Sequence, residues 1–282
     1  MARLYIVSTP IGNLADMTHR ALEVLGSVTR VYAEDTRRTA ILFRRYDLRT
    51  PLASAHEHNE AGRAEEIVAQ LEAGADVALV SDAGTPLLSD PGARIVQCVL
   101  AAGHDVVPVP GASALLAALV GAGLPAEPFT WLGFPPRQAG ARRELAARVA
   151  ALDHTAVLYE APGRLGRLLE ELAEACGAER PAAVARELTK LHETFRRGTL
   201  GELAAYYSGP PPRGEIVVVV GPPAAAPPEP AVRRAEAEAL ARELLDAGSR
   251  PSSVARELAR RLELRRNAAY EIVLAVTGKD GG

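Results

Sequence analysis

Short apolar runs alternate with amphipathic stretches along the first 110 residues. Runs at residues 4–7, 28–33, 52–55, 77–80 and 106–109 have the length and the bounding turn residues of strands. Between them the apolar spacing is helical, most clearly over residues 60–72, where Ala64, Ile67, Val68 and Leu71 share a face. Strands alternating with helices predict a mainly parallel sheet covered on both sides. After Gly123-Leu124-Pro125-Ala126-Glu127-Pro128 a second α/β unit begins, with strands predicted at 129–134, 155–159, 182–186, 193–196 and 216–220 and helices at 142–150 and 165–175. The β-branched run Ile216-Val217-Val218-Val219-Val220 reads as a strand buried on both faces.

The segment Gly221-Pro222-Pro223-Ala224-Ala225-Ala226-Pro227-Pro228 is too rich in proline for regular structure and reads as a stiff linker. Three short helices follow, at 236–245, 254–262 and 268–276, with Pro251-Ser252-Ser253 and Asn267 as the expected N-caps of the last two. The turn between those two is basic, so the tail reads either as a helix-turn-helix or as a packing appendage. The expected organisation is two α/β domains, residues 1–122 and 123–222, and a small helical domain over residues 229–282.

Composition changes this picture little. Hydrophobic residues at 48% and charged residues at 24% suit an ordinary globular chain. The start, Met1-Ala2-Arg3-Leu4-Tyr5-Ile6-Val7, is too short for a signal sequence, and no apolar run approaches the roughly 20 residues of a membrane span. Cys98 and Cys176 sit in separate helical patterns and read as reduced core thiols. These features predict a cytoplasmic protein. The net charge of −3 excludes a global polycation, but the basic residues cluster. Arg37, Arg38, Arg44, Arg45 and Arg49 form one group, Arg137, Arg142, Arg143 and Arg148 a second, and Arg250, Arg256, Arg260, Arg261, Arg265 and Arg266 a third. Such groups track phosphates or are simply solvated helix faces.

Ligands of open parallel sheets bind beyond the carboxyl ends of the strands. Three such ends carry loops of small residues: Ser8-Thr9-Pro10-Ile11-Gly12-Asn13 after the first strand, Ser81-Asp82-Ala83-Gly84-Thr85-Pro86-Leu87-Leu88-Ser89-Asp90-Pro91-Gly92 after the fourth, and Pro110-Gly111-Ala112-Ser113-Ala114 after the fifth. Loops of this kind let a ligand approach the backbone closely. A dinucleotide site would need three glycines in the first loop, which has only Gly12, and Pro10 removes an N–H that a pyrophosphate would use. His56 and His58, spaced i, i+2 with Glu57 and Glu60 nearby, invite a metal reading, but no clear third ligand accompanies them and no metal is expected.

The stretches Thr9-Pro10-Ile11-Gly12-Asn13-Leu14, Ala33-Glu34-Asp35-Thr36-Arg37, His56-Glu57-His58-Asn59-Glu60, Ser81-Asp82-Ala83-Gly84-Thr85-Pro86, Arg186-Glu187-Leu188-Thr189-Lys190-Leu191-His192-Glu193 and Gly214-Glu215-Ile216-Val217 resemble the bacterial ribosomal RNA small-subunit methyltransferase I family. The likeness runs from residue 3 to about residue 221, and the helical tail is also similar. The resemblance implies the tetrapyrrole methylase fold, two α/β domains with S-adenosylmethionine in the cleft between them, and a homodimer. It also implies methylation of a cytidine 2'-oxygen in 16S RNA, with the 30S particle as the expected partner. The chain departs from the family at Pro162-Gly163-Arg164, where Pro-His-Arg is common, and in its almost complete use of arginine for lysine. A methylase of a tetrapyrrole or diphthamide precursor, and a non-catalytic assembly factor on the same fold, are the competing readings.

By position at the strand ends and by this resemblance, the expected cofactor contacts are Pro10, Gly12, Asp82, Gly84, Thr85, Leu88, Ser113, Ala114, Tyr159 and Leu188. Asp82 and Asp90 read either as loop caps or as partners of a cationic ligand. The expected RNA contacts are Arg37, Arg38, Arg137, Arg256, Arg260 and Arg265. Lys190 and Lys279 are the only lysines. Lys190 and Glu187 are the catalytic candidates, with three roles open for the lysine: a neutral amine that takes the 2'-hydroxyl proton, an ammonium that orients the ribose or a phosphate, or a structural ion pair.

Overall fold

The computed structural model describes residues 2–223, 231–262 and 264–278. Most of the expected linker, the start of the tail and Lys279 lie outside the described residues. Residues Met1–Pro223 form one compact unit and Ala224–Gly282 a second.

The first unit holds two five-stranded sheets. The first contains β1 (Arg3–Val7), β2 (Arg30–Ala33), β3 (Leu52–Ser54), β4 (Val77–Val80) and β5 (Asp105–Val109), in the order β3-β2-β4-β1-β5, and every neighbouring pair is parallel. Five helices follow the strands: α1 (His19–Ser27), α2 (Thr36–Arg45), α3 (Glu60–Glu72), α4 (Ala93–Ala101) and α5 (Ala114–Gly121). Strand β4 shows why its sequence is apolar throughout. Val77 and Leu79 pack with Ile67, Leu71, Ile95 and Val99 of α3 and α4, while Ala78 and Val80 pack with Leu25, Leu42 and Phe43 of α1 and α2. Alternate side chains enter opposite cores, so no position is left for a polar residue.

The second sheet is mixed, not mainly parallel. It contains β6 (Phe129–Trp131), β7 (Thr155–Glu160), β8 (Pro181–Arg186), β9 (Thr194–Thr199) and β10 (Ile216–Val220), ordered β6-β7-β10-β8-β9, and only β6 and β7 run parallel. One face is covered by α6 (Ala139–Ala151), α7 (Leu165–Cys176) and α8 (Leu200–Tyr206), through Leu145, Val149, Leu168, Leu172 and Leu203. The other face receives Leu115, Ala118 and Leu119 of α5 and Ile11 of the loop after β1. Helix α5 therefore leaves the first sheet and helps form the core of the second, which explains why the two lobes form one unit.

Two sequence expectations change. Arg142, grouped above with a phosphate-tracking patch, is buried. Its guanidinium donates to both carboxylate oxygens of Glu171, at 2.9 and 2.8 Å, and to the Arg137 carbonyl at 2.6 Å. A buried, fully bonded guanidinium packs α6 against α7 and offers nothing to a phosphate. The tail comprises α9 (Ala231–Asp246), α10 (Pro251–Arg261) and α11 (Arg266–Thr277) around a small core that includes Ala241, Leu258 and Val273. Its last two helices start earlier than the serine and asparagine signals suggest. Pro251 occupies the first turn of α10 with Arg250 as N-cap, and Asn267 lies inside α11, which Arg265 precedes. Proline's fixed φ and missing N–H suit the first helical position.

Candidate functional site

The loops after β1, β4 and β5 converge because those strands are neighbours in the sheet, ordered β4-β1-β5. They are stitched together. The Thr9 N–H donates to the Gly84 carbonyl at 2.8 Å, and the Gly84 N–H returns a bond to Thr9 at 3.0 Å. Ser8 and Thr85 share a hydroxyl contact of 3.0 Å. Gly84 has φ +81°, in the left-handed region, and a side chain there would press on Ile11. Glu60 of the His-Glu-His-Asn-Glu stretch accepts the backbone N–H groups of Gly92 and Arg94, at 3.0 and 2.9 Å, and so ties the long loop to the start of α4. Asn59 accepts the His56 N–H at 2.8 Å. This stretch is thus a brace, and among the described residues no group of three or more His, Cys, Asp or Glu side chains is placed to hold a metal.

These loops form one wall of a cavity of about 310 Å³. Ile11, Ala83, Gly84, Thr85, Leu88, Ser89, Asp90, Ser113 and Ala114 come from the first lobe. Phe134, Tyr159, Glu160, Ala161, Pro162, Leu188 and the run Gly214 to Val217 come from the second. Of the expected cofactor residues, Gly84, Thr85, Leu88, Ser113, Ala114, Tyr159 and Leu188 line it. Pro10, Gly12 and Asp82 are not among its lining residues. Gly12 lies against the stem of Lys190, so closely that a Cβ there would clash with the lysine Cγ. Asp82 accepts the Asp35 N–H at 2.9 Å and pairs with Arg38 at 3.4 Å.

Backbone strain gathers at this cavity. Of the non-glycine residues with positive φ, Leu87 and Ser89 flank Leu88, while Glu187 and Thr189 flank Leu188. Such conformations persist only where the surroundings enforce them, and here they aim the two leucines. Tyr159 is held edge-on against Trp131 and Phe134, with ring centroids 5.8 and 5.5 Å away.

The electrostatics of the cavity are acidic. Asp90 is pushed up to about 6, first by burial and then by the charges of Glu34 and Asp82. Glu34 is raised for the same leading reason. Glu160, which the strand pattern did not single out, is buried and raised by that burial. One of its oxygens accepts the Ala161 N–H at 2.6 Å and pairs with Arg164, while Oε2 is buried without a partner. The one legible signal was its place at the carboxyl end of an apolar strand.

The two catalytic candidates meet at the cavity's edge. Lys190 Nζ donates to Glu187 Oε1 at 2.9 Å and to Glu215 Oε2 at 3.1 Å. Burial pulls the ammonium down, but the bonds from Glu187 and Glu215 outweigh it, so the net displacement is upward. Glu187 is correspondingly lowered by its bond to Lys190. In this arrangement Lys190 is a donor to both carboxylates. The expected RNA contacts Arg37, Arg38, Arg137, Arg256, Arg260 and Arg265 are exposed. Arg37 is tied to Asp35 at 2.7 Å and Arg260 to Glu257 at 2.6 Å, so both would have to be shared with a phosphate.

The sequence profile of the Tetrapyrrole (Corrin/Porphyrin) Methylases matches residues 3–204. A ribosomal RNA small subunit methyltransferase I from Synechocystis is 44% identical over 97% of this chain and 98% of its own length. The protein of that name from Pseudomonas aeruginosa is 49% identical over 71% of each chain. Among solved structures, diphthine synthase aligns with a TM-score of 0.60 at 15% identity, covering 78% of this chain and 90% of that one. The methyltransferase CobJ aligns with a TM-score of 0.59 at 21% identity, covering 79% and 95%. The structures share the fold, and the sequence relatives share far more of the residues. By the profile match and by this identity the chain belongs to the tetrapyrrole methylases and, within them, to the ribosomal RNA small subunit methyltransferase I family.

Proposed function

We propose that this methyltransferase transfers a methyl group from S-adenosylmethionine to the ribose 2'-oxygen of a cytidine in 16S RNA, in the cytoplasm and on the assembled 30S particle. The observation that carries the reading is the cavity walled by both lobes, in a chain whose relatives at 44–49% identity are named for small-subunit ribosomal RNA. Its residues suit the donor. Leu88, Ala114, Leu188 and Val217 supply apolar wall, and Asp90 supplies negative charge for a cation. Adenosylmethionine brings the methyl group on a cationic sulfonium. Two tasks remain: the 2'-oxygen must be held in line with the methyl carbon, and its proton must pass to solvent as the new O–C bond replaces the C–S bond; orientation of this kind can supply much of a rate. Lys190 then serves as a fixed positive charge at the cleft edge, orienting the ribose or a neighbouring phosphate. Purified enzyme, given labelled adenosylmethionine and 30S particles lacking the modification, should place label on a cytidine ribose; label on a base, or none on RNA, would overturn the reading.

Asp90 makes cofactor binding pH-dependent. Its folded-state pKa, about 6, lies above the ordinary 3.8. Burying it therefore favours the fold while it is protonated, and that contribution is lost as pH rises through about 6. A bound cation reverses the balance by favouring the carboxylate. Adenosylmethionine affinity should be level above about pH 7 and weaken as pH falls through about 6, whereas Asp90→Asn should bind weakly and without that inflection. Calorimetric titration across this range decides it, and an identical inflection in the asparagine variant would exclude Asp90.

The tail, with Arg256, Arg260 and Arg265, docks the RNA in this reading. Deleting residues 224–282 should leave cofactor binding intact, weaken 30S binding and flatten its salt dependence by about 0.7–0.9 log unit for each phosphate the tail neutralises. Filter binding at several salt concentrations measures this, and equal slopes would count against it. The homodimer has an apolar face available in the exposed Leu116 and Val120 of α5.

A further inference from the structure

We propose that the outer edge of the second sheet is a second RNA-binding surface, a platform that holds an unpaired nucleotide next to the one being methylated. It is built from Arg186, Arg196, Tyr206 and Arg213, and it rests on the reading of RNA as substrate.

The register places these groups together. Arg186 on β8 stands opposite Ile216 of β10, a cavity-lining residue, and on its other side opposite Thr194 of the edge strand β9. Arg196 lies two residues further along β9, opposite Val184, so Arg186 and Arg196 share one face of the sheet. On that face α8 ends in Tyr206. The Arg196 guanidinium lies over the Tyr206 ring, 3.3 Å from its centroid, and Tyr206 is half exposed and braced edge-on by Tyr207 at 4.9 Å. Arg186 donates to the carbonyl of Arg213, immediately before the cavity-lining Gly214 and Glu215. The surface therefore begins one strand away from the cavity wall and runs outward to the sheet edge.

None of these three arginines forms an ion pair with a carboxylate among the described residues. This sets them apart from Arg37 and Arg260, whose charges are already engaged. An unpaired guanidinium held 3.3 Å over a tyrosine ring gives up little freedom on binding and leaves its outer side open to a base. Unpaired bases stack on such faces, whereas the bases of an A-form duplex are already stacked on one another. Arg186 and Arg213 supply charge for the phosphates on either side. An acidic protein segment would use the charges but not the plane.

The test compares the intact enzyme with Arg186→Ala/Arg213→Ala and with Tyr206→Ala, using unmodified 30S particles and measuring adenosylmethionine affinity alongside. Wild-type turnover on 30S particles is the control for the underlying reading, and its absence would remove that reading before this surface is at issue. Given turnover, the double variant should raise KM for the particle at least about tenfold, keep kcat within about twofold and bind the cofactor normally. Its salt dependence should be shallower by about 1.4–1.8 log units, as expected when two phosphates are no longer neutralised. Tyr206→Ala should raise KM by about five- to tenfold, as expected when one base can no longer stack, with the slope unchanged. Wild-type KM and slope in the double variant would overturn the proposal, and a silent Tyr206→Ala would overturn the stacking platform.

Discussion

Thr85→Arg should abolish adenosylmethionine binding while leaving the protein folded. Thr85 lines the cavity, and its hydroxyl meets that of Ser8 at 3.0 Å, so the position is fixed by two loops tied to the first sheet. The cavity is about 310 Å³, and an arginine side chain at this position would extend into it. The substitution also introduces a guanidinium where a cationic ligand must sit, so volume and charge act in the same direction. A weakening of about a thousandfold or more, roughly 4 kcal/mol, is expected. The residue is only half-buried and lies in a loop, so the cores of both lobes are untouched. Calorimetry reads the affinity and thermal melting confirms the fold. Thr85→Ser, which keeps the hydroxyl, should bind within a few-fold of wild type. Full affinity in the arginine variant would mean that the cofactor does not occupy this cavity.

The second large effect is expected at Lys190. Its ammonium neutralises Glu187 and Glu215, and its stem lies on Gly12, so it crosses from the second lobe to the first. Lys190→Met keeps the stem and deletes the charge, leaving two carboxylates together beside the cavity. Glu187 is held there with φ +54° and cannot easily turn away. Turnover on 30S particles should fall about a hundredfold, the scale for removing one preorganised charged donor, while adenosylmethionine still binds. Lys190→Arg retains the charge and should keep turnover within about tenfold, the reduction reflecting the wider guanidinium against Gly12. A proton acceptor would behave differently, since arginine stays protonated and both variants would then fail alike. The raised pKa of Lys190 argues for the charge role. Equal activity in all three proteins would leave Lys190 with no part in the reaction.

Much of the site was legible before the fold. Thr85, Leu88, Ser113 and Ala114 were marked by lying in small-residue loops after strands, and the parallel sheet places such loops on one edge. Tyr159 and Leu188 followed from the family resemblance. Glu160 was harder, because its distinguishing property is burial with one oxygen left without a partner, and partners come from other parts of the chain.

Local pattern by itself determined the kind and place of the elements. The continuous β-branched run Ile216–Val220 matches a strand with two covered faces, and the apolar stripe of Glu60–Glu72 marks its helix to the residue. Both are properties of neighbours in sequence. Tertiary structure decided what depends on distant pairings. It set the order β3-β2-β4-β1-β5 and turned the second sheet antiparallel at β7, β10, β8 and β9. It carried α5 across to the second core. It also settled the fate of single charges, where identical side chains diverge. Arg142 is enclosed against Glu171, Arg196 lies open on Tyr206, and Lys190 is held as an ammonium by Glu187 and by Glu215, 25 residues further along. A charge's role follows from its partner and its access to water, and the chain sets both only when it has closed on itself.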